Sequence, residues 1–370
     1  SEMKRLKFKI PLLIGGATTS KKHTAVKIEE MYPSNVFHVQ DASRCVGVAA
    51  KLLNKKHKSG FINSSTKEYQ AIRDAFYDNK KHIPLLSLEQ ARDRRPLLNH
   101  SPFKPINMGV HSINEIPLEI LKDYIDWTPF FHAWEFKGTY LSIINDSKKG
   151  VEARKVYEDA MVQLDSIIGL NSLIAKGVYG FFPARSENER IDILNDDISF
   201  EFPRQMIDKG NSLNYCLADY VSADGSDFLG MFTVTAGHGL ESLVKKFESD
   251  NDDYNAIMVK VLADRFAEAA AEWLHEKVRK EYWGYAKNEE LMLDDLLKEK
   301  YKGIRPAPGY PACPDHKEKD KIWKLLNVYD NIGVQLTESR AMFPAASVCG
   351  WYFAHPKAKY FSVLKNKRVT

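Results

Sequence analysis

At 370 residues, with a net charge of +4 from 53 basic and 49 acidic side chains, the chain is too long for one typical domain and too evenly charged for a nucleic-acid footprint. Its 44% hydrophobic and 28% charged residues can bury a large core, which excludes a disordered chain and leaves a small molecule or a protein as the expected partner. Cys45, Cys216, Cys313 and Cys349 are scattered and form no C-x-x-C pair, so a reducing, cytoplasmic compartment is expected.

The apolar run from Ile10 to Ile14 is far short of a signal core or a membrane span; it reads as a buried strand, and no membrane association is expected. The first residues lead straight into that strand without a cap or turn, so the chain is expected to begin inside a domain. Residues 8 to 55 then alternate β-α-β-α: an apolar strand to Ile14, a small-residue turn Gly15-Gly16-Ala17-Thr18-Thr19-Ser20, a helix from His23 to Met31, a strand from Val36 to Gln40 and a helix from Ser43 to Leu53. That is the rhythm of a doubly wound, Rossmann-like α/β piece, here truncated. A glycine turn after a parallel strand lies where such folds bind ligands, although a bare Gly-Gly is also an ordinary tight loop. Residues 56 to 105 are charged and irregular around one helical stretch, Glu68 to Tyr77, and read as a linker.

Residues 106 to 370 read differently. Gly150 to Ile168 is an amphipathic helix, and strands are expected at Gly177 to Phe182 and Asp192 to Leu194. Asn214 to Ser222 and Phe228 to Ala236 flank Asp224-Gly225 as a candidate hairpin. A long helix runs from about Asp253 to Tyr282. Strands and helices out of strict β-α-β order predict an α+β domain around a mainly antiparallel sheet with flanking helices.

The strip Arg305-Pro306-Ala307-Pro308-Gly309-Tyr310-Pro311 has its backbone stiffened by three prolines and is expected to be extended. Arg305 can clamp a carboxylate, or it is a surface cation on a stiff loop. Asp264 and Glu268 share a helix face among alanines, as a lining for a ligand or as the solvated side of a good helix former. Asp126 is a lone carboxylate amid aromatics, needing a partner if buried, or else a helix cap. Cys313-Pro314-Asp315-His316 offers too few ligands for a metal, and none is expected.

Together these segments resemble the cobalamin-dependent methionine synthases over nearly the whole chain. Pro11 to Ser20 with His23 to Ile28 resembles the B12-domain segment whose hydroxyls hold the cofactor's dimethylbenzimidazole tail, with Ser20 and Thr24 at the matching positions. The D-x-H-x-x-G motif carrying the cobalt ligand would lie upstream of residue 1. Tyr124 to Trp127, the Asp264/Glu268 helix with Tyr282-Trp283-Gly284-Tyr285, Arg305 to Pro311, and Leu336 to Phe361 resemble the S-adenosylmethionine-binding reactivation domain. The resemblance implies residues 1–55 as the end of a cobalamin domain and 106–370 as the activation domain. It places Asp126, Glu268, Arg305, Ala307, Tyr310, Tyr360 and Phe361 at the S-adenosylmethionine site and Asp264 as a possible switch partner for the cobalt-ligating histidine.

The implied activity is methyl transfer from 5-methyltetrahydrofolate to homocysteine through cobalamin. Inactive cob(II)alamin would be repaired with one electron from flavodoxin or a methionine synthase reductase-like donor and a methyl group from S-adenosylmethionine. The upstream cobalamin domain is the intramolecular partner, zinc is expected only in the N-terminal part outside this chain, and the fragment is not expected to be active alone. The rival readings are a flavodoxin-docking or cobalamin-capping regulatory module without catalysis, and a free-standing methyltransferase, which lacks a glycine fingerprint and a base here.

Overall fold

The computed structural model describes residues 5–15, 19–32, 36–39, 42–81 and 84–363, and its contacts divide the chain into two units, Ser1–Leu85 and Leu86–Thr370. Gly16, Ala17 and Thr18 of the expected small-residue turn, and Gln40 at the end of the second expected strand, lie outside the described residues.

In the first unit, β1 (Leu12–Gly15) pairs in parallel with β2 (Val36–Val39), Leu12 opposite Val36. The expected helix between them is a winding segment instead: one α-turn at Lys21–His23, a π-turn at Thr24–Ile28 and a 3-10 turn at Glu29–Met31. Helices α1 (Ala42–Leu53) and α2 (Lys58–Lys81) follow, α2 far longer than its sequence pattern indicated. Buried Arg73 of α2 explains why the helix packs here, since its guanidinium meets the Glu29 carboxylate and donates to the Ala25 carbonyl at 3.1 Å. The His38 amide donates to the Tyr69 hydroxyl at 2.7 Å, tying α2 to β2 as well.

The second unit is built on an antiparallel six-stranded sheet: β3 (Gly109–Ile116), β4 (Ile174–Glu187), β5 (Arg190–Ile193), β6 (Ser199–Glu201), β7 (Asp227–His238) and β10 (Ser347–Tyr352), with a separate small pair, β8 (Gln335–Leu336) and β9 (Met342–Phe343). The order is β10-β7-β4-β5-β6. One edge of β4 pairs with β7, and the other pairs with β3 up to Phe181 and with β5 from Ala184. Pro183 sits between the stretches that pair with β3 and β5, where a missing donor breaks no rung on that edge.

The candidate hairpin before β7 is not formed. Residues 217–220 make a 3-10 turn, and β7 finds its partners far away in β4 and β10, Val234 opposite Gly177 and Phe232 opposite Gly350. Side chains of β7 alternate: Phe232, Val234 and Ala236 enter one core with Phe266 and Ala270, and Leu229 and Met231 enter the other with Trp351 and Leu326.

Helices α3 (Trp127–Ala133), α4 (Gly150–Gly169) and α5 (Leu240–Ser249) surround the first core, and α6 (Asp253–Lys277) crosses it. Asp252 caps α6 by accepting the Asn255 amide, and the helix runs into a π-turn at Val278–Tyr282, the end that its sequence pattern indicates. Its alanines do not make a solvated face: Ala269, Ala270 and Ala271 are buried, and small side chains let the sheet close against the helix. Across the sheet, α7 (Glu318–Leu326) seals the second core. Among the described residues, no helix is long and apolar enough to cross a membrane.

Candidate functional site

Arg305 is placed by backbone hydrogen bonds. Ile304 and Phe353 exchange them at 3.1 and 3.0 Å, and the Trp351 amide donates to the Pro306 carbonyl at 2.9 Å, so the segment lies against β10 as an added rung. Gly350 permits that approach, because a Cβ there would stand 2.5 Å from the Pro306 oxygen. The extended conformation expected for the whole strip holds only at its start. Beyond Pro306 the chain closes a turn, with the Tyr310 amide donating to Ala307 at 3.2 Å, the Gly309 amide to Cys313 at 2.7 Å, and Gly309 at φ +95°. Prolines that cannot donate suit a segment whose carbonyls do the work.

The guanidinium of Arg305 donates from Nη2 to Oε2 of Glu272 at 2.8 Å, and their side chains are only 19% and 7% exposed. Burial works against the charge, but Glu272, Tyr301, Tyr360 and Glu268 together more than offset it, so the pKa of Arg305 is raised and it stays protonated. At the backbone end, the Arg305 amide donates to the Tyr360 hydroxyl at 3.0 Å, which meets the Tyr301 hydroxyl, also at 3.0 Å. The Tyr301 ring lies 4.6 Å from the guanidinium carbon of fully buried Arg279. Beneath them His275 is buried, stacked on Tyr352 at 5.3 Å, and burial together with Arg279 and Arg305 holds it well below the usual histidine value.

In front of Arg305 opens a cleft of about 380 Å³, within the range of small-molecule sites. Its lining carries four carboxylates, Asp126, Glu268, Glu272 and Glu299, against the guanidiniums of Arg265 and Arg305, with Tyr124, Pro129, Leu296, Leu297 and Tyr301 as apolar walls. Such a surface favours a ligand that is cationic overall and carries one anionic group for Arg305. Asp126 reaches the cleft from the start of α3, which it caps by accepting the Thr128 amide at 2.9 Å. The helix-cap reading of that residue therefore holds, and it also lines the cleft.

Of the residues singled out in the sequence, Asp126, Glu268 and Arg305 line this cleft together. Tyr360 touches it through Arg305 and Tyr301. Ala307 is buried in the turn, Tyr310 is exposed, and neither is part of the lining. Tyr360 and Phe361 face a separate hollow of about 620 Å³ with Lys209, Tyr215 and Lys359, which has no acid in its lining. Asp264 is exposed on α6, one turn before Glu268 and outside the cleft. Glu272, Tyr301 and Glu299 were missed. Glu272 continues the i, i+4 spacing of Asp264 and Glu268, and that spacing was the available signal; nothing in the pattern of residues 293–301 marked the other two. Cys313 is buried, which pushes its thiol up to about 12 and makes it a poor nucleophile.

In the first unit, Ser20 is engaged as a helix cap, accepting the His23 amide at 3.1 Å. Thr24 is buried and its hydroxyl has no hydrogen-bond partner among the described residues.

Residues 117–369 match the family model for the vitamin B12 dependent methionine synthase activation domain. The chain belongs to that family. A crystal structure of the MetH reactivation domain bound to AdoHcy is 47% identical in sequence, superposes with a TM-score of 0.73, and the match covers 75% of this chain and 89% of that one. The activation-domain fold of this family is thus the antiparallel sheet with flanking helices described above.

Proposed function

We propose that the activation domain of this chain binds S-adenosylmethionine in the Arg305 cleft and supplies its methyl group for the reductive methylation of cob(II)alamin. That repair would sustain methyl transfer from 5-methyltetrahydrofolate to homocysteine. The observation that carries the reading is the half-buried, protonated Arg305 at the wall of an acid-lined cleft. S-Adenosylmethionine combines a carboxylate, an ammonium and a sulfonium. Arg305 would bind the carboxylate, Asp126 and Glu268 would attract the cations, and Tyr360 would hold Arg305 in register. Ala307, Tyr310 and Phe361 stay in the proposed site as residues of the adjoining turn and terminal segment. AdoHcy, bound by the relative, is the same molecule without the transferable methyl, which supports the ligand class. The sulfonium methyl is already activated, so the domain needs to position it and no general base is required.

Residues 1–55 are proposed as the end of the cobalamin domain, with 106–370 as the activation domain and the stretch between as their connection. Thr24 fits that role through its buried hydroxyl, which has no hydrogen-bond partner among the described residues, with Ser20 nearby in the chain. When bound, cobalamin supplies the reduced cobalt that accepts the methyl. Asp264, exposed on α6, remains the proposed switch partner, and flavodoxin or a related reductase the proposed electron donor. The buried thiols of Cys216, Cys313 and Cys349 suit a reducing, cytoplasmic setting.

The test is calorimetric titration of the chain with S-adenosylmethionine, with ATP as control and with the Arg305→Ala variant. Saturable binding of S-adenosylmethionine alone, lost in the variant, is expected. A well-folded chain that binds neither ligand would leave the regulatory docking role in its place.

A further inference from the structure

Resting on the Arg305 cleft as an S-adenosylmethionine site, we propose that Glu272 is its positioning residue: it fixes the Arg305 guanidinium for the ligand's carboxylate and so sets the preference for a carboxylate-bearing ligand.

Arginine has several rotatable bonds, and a ligand that had to order them would bind less well for it. Here the residue is already held at its backbone and at the tip of its side chain. The backbone amide rests on Tyr360, and Nη2 on Glu272 at 2.8 Å. Glu272 itself cannot move far, because it projects from the stretch of α6 in which Ala269, Ala270, Ala271, Trp273 and Leu274 are all buried. The carboxylate engages one nitrogen of the guanidinium. Arg305 Nε is buried without a hydrogen-bond partner among the described residues, so donors remain for an incoming anion.

Neutralising the neighbouring Arg279 is not what places Glu272. Arg279 has its own carboxylate in Glu289, at 2.6 Å from Nε, whereas Glu272 Oε1 stands 3.9 Å from Arg279 Nη1 and makes no hydrogen bond. The short contact of Glu272 is the one to Arg305. Arg279 instead backs the arrangement by lying over the Tyr301 ring, whose hydroxyl meets Tyr360. Glu272 thus belongs to a circuit that returns to the backbone of the residue it orients.

The experiment measures, by calorimetry on the full chain, the affinities for S-adenosylmethionine and for its decarboxylated analogue, and takes their ratio. In Glu272→Gln the ratio should fall about ten- to a hundredfold, the range of one charge-assisted hydrogen bond, because only the carboxylate-bearing ligand uses Arg305. Glu272→Asp keeps the buried charge and retracts the oxygen by one methylene; it guards against loss of the fold and should show the same selective fall, smaller in size. If both ligands weaken equally in folded variants, or if the ratio is unchanged, Glu272 does not position Arg305 and the proposal is overturned. Failure of the unsubstituted chain to bind either ligand would overturn the cleft reading itself, which is a different result.

Discussion

Two arginines in the second unit, Arg204 buried and Arg305 half-buried, show opposite ways of using a guanidinium. Arg204 is saturated: Nε donates to Glu189 at 2.8 Å, Nη1 to Asp219 and to the Asn214 carbonyl at 2.9 Å each, and Nη2 to Asp219 at 2.7 Å. Glu189 also receives Arg92, so the cluster fastens the segment after residue 86 to the β4–β5 turn. Around Arg305 the cluster is open. Arg305 Nε, Glu272 Oε1 and both terminal nitrogens of Arg279 are buried without hydrogen-bond partners among the described residues. Buried polar groups left unpaired weaken a fold, and they persist where something other than stability uses them. A closed ion cluster holds the chain together, and an open one beside a cleft keeps donors for a ligand.

The sharpest way to break that comparison is Arg204→Met. Removing one partner of a buried ion cluster leaves Asp219 without its cation and Glu189 with Arg92 alone, and the expected loss is about 3–5 kcal/mol of unfolding free energy, measured by denaturant titration. The ligand affinity of whatever remains folded should not change. Arg305→Ala should do the reverse: affinity for S-adenosylmethionine falls about a hundredfold or more, equivalent to about 3 kcal/mol, with a smaller change in stability. Equal stability losses in the two variants would show that the open cluster is as structural as the closed one.

The sequence was most legible where a pattern is local. The helix from Asp253, its continuation to Tyr282 and the helix from Gly150 follow from apolar periodicity and appear in place. It was least legible where partners are distant. Asn214 to Ser222 alternates like a strand, but the Asn214 carbonyl and the Asp219 carboxylate are held by Arg204, and Cys216 donates its amide to Asp219 at 2.8 Å, which folds the segment into a turn. Strand β7, left without that neighbour, pairs with β4 and β10, contacts no local pattern encodes. The site divides in the same way. Arg305 stood out through its prolines, whereas Glu272 matters because α6 buries it opposite Arg305, and burial is decided by the sheet.

Acid sharpens the contrast, because each region has a buried histidine. His275 lies under the Arg305 circuit, and His355 packs beside His100 with ring centroids 4.2 Å apart and is next to Tyr220. Burial first, then His100 and Lys357, hold His355 down to about 4, and its Nδ1 accepts the Lys357 amide, which requires that nitrogen to be unprotonated. A histidine depressed in the folded state leaves stability intact above its unfolded value and withdraws it as pH falls. The chain should therefore lose stability from about pH 6.5 downward toward pH 4, by about 1.5 kcal/mol from His355 alone between pH 6.5 and 5. Denaturant titrations at pH 7, 6 and 5 would show it, and His355→Gln should flatten the slope by the share of one histidine. A slope unchanged in the variant would mean that His355 titrates alike in the folded and unfolded chain.

The smallest effect is the most diagnostic of how Arg305 is held. Tyr360→Phe keeps the ring and removes the hydroxyl that accepts the Arg305 amide and meets Tyr301. Tyr360 is 36% exposed, so water can take over the freed amide, and loss of one neutral hydrogen bond should cost about 1 kcal/mol, or about fivefold in the dissociation constant. Stability should scarcely change. A hundredfold loss would mean that the hydroxyl contacts the ligand directly. No loss would mean that Glu272 alone orients the guanidinium and that the backbone end of the circuit is dispensable, which would place the whole burden of orientation on the side of the site that the sequence concealed.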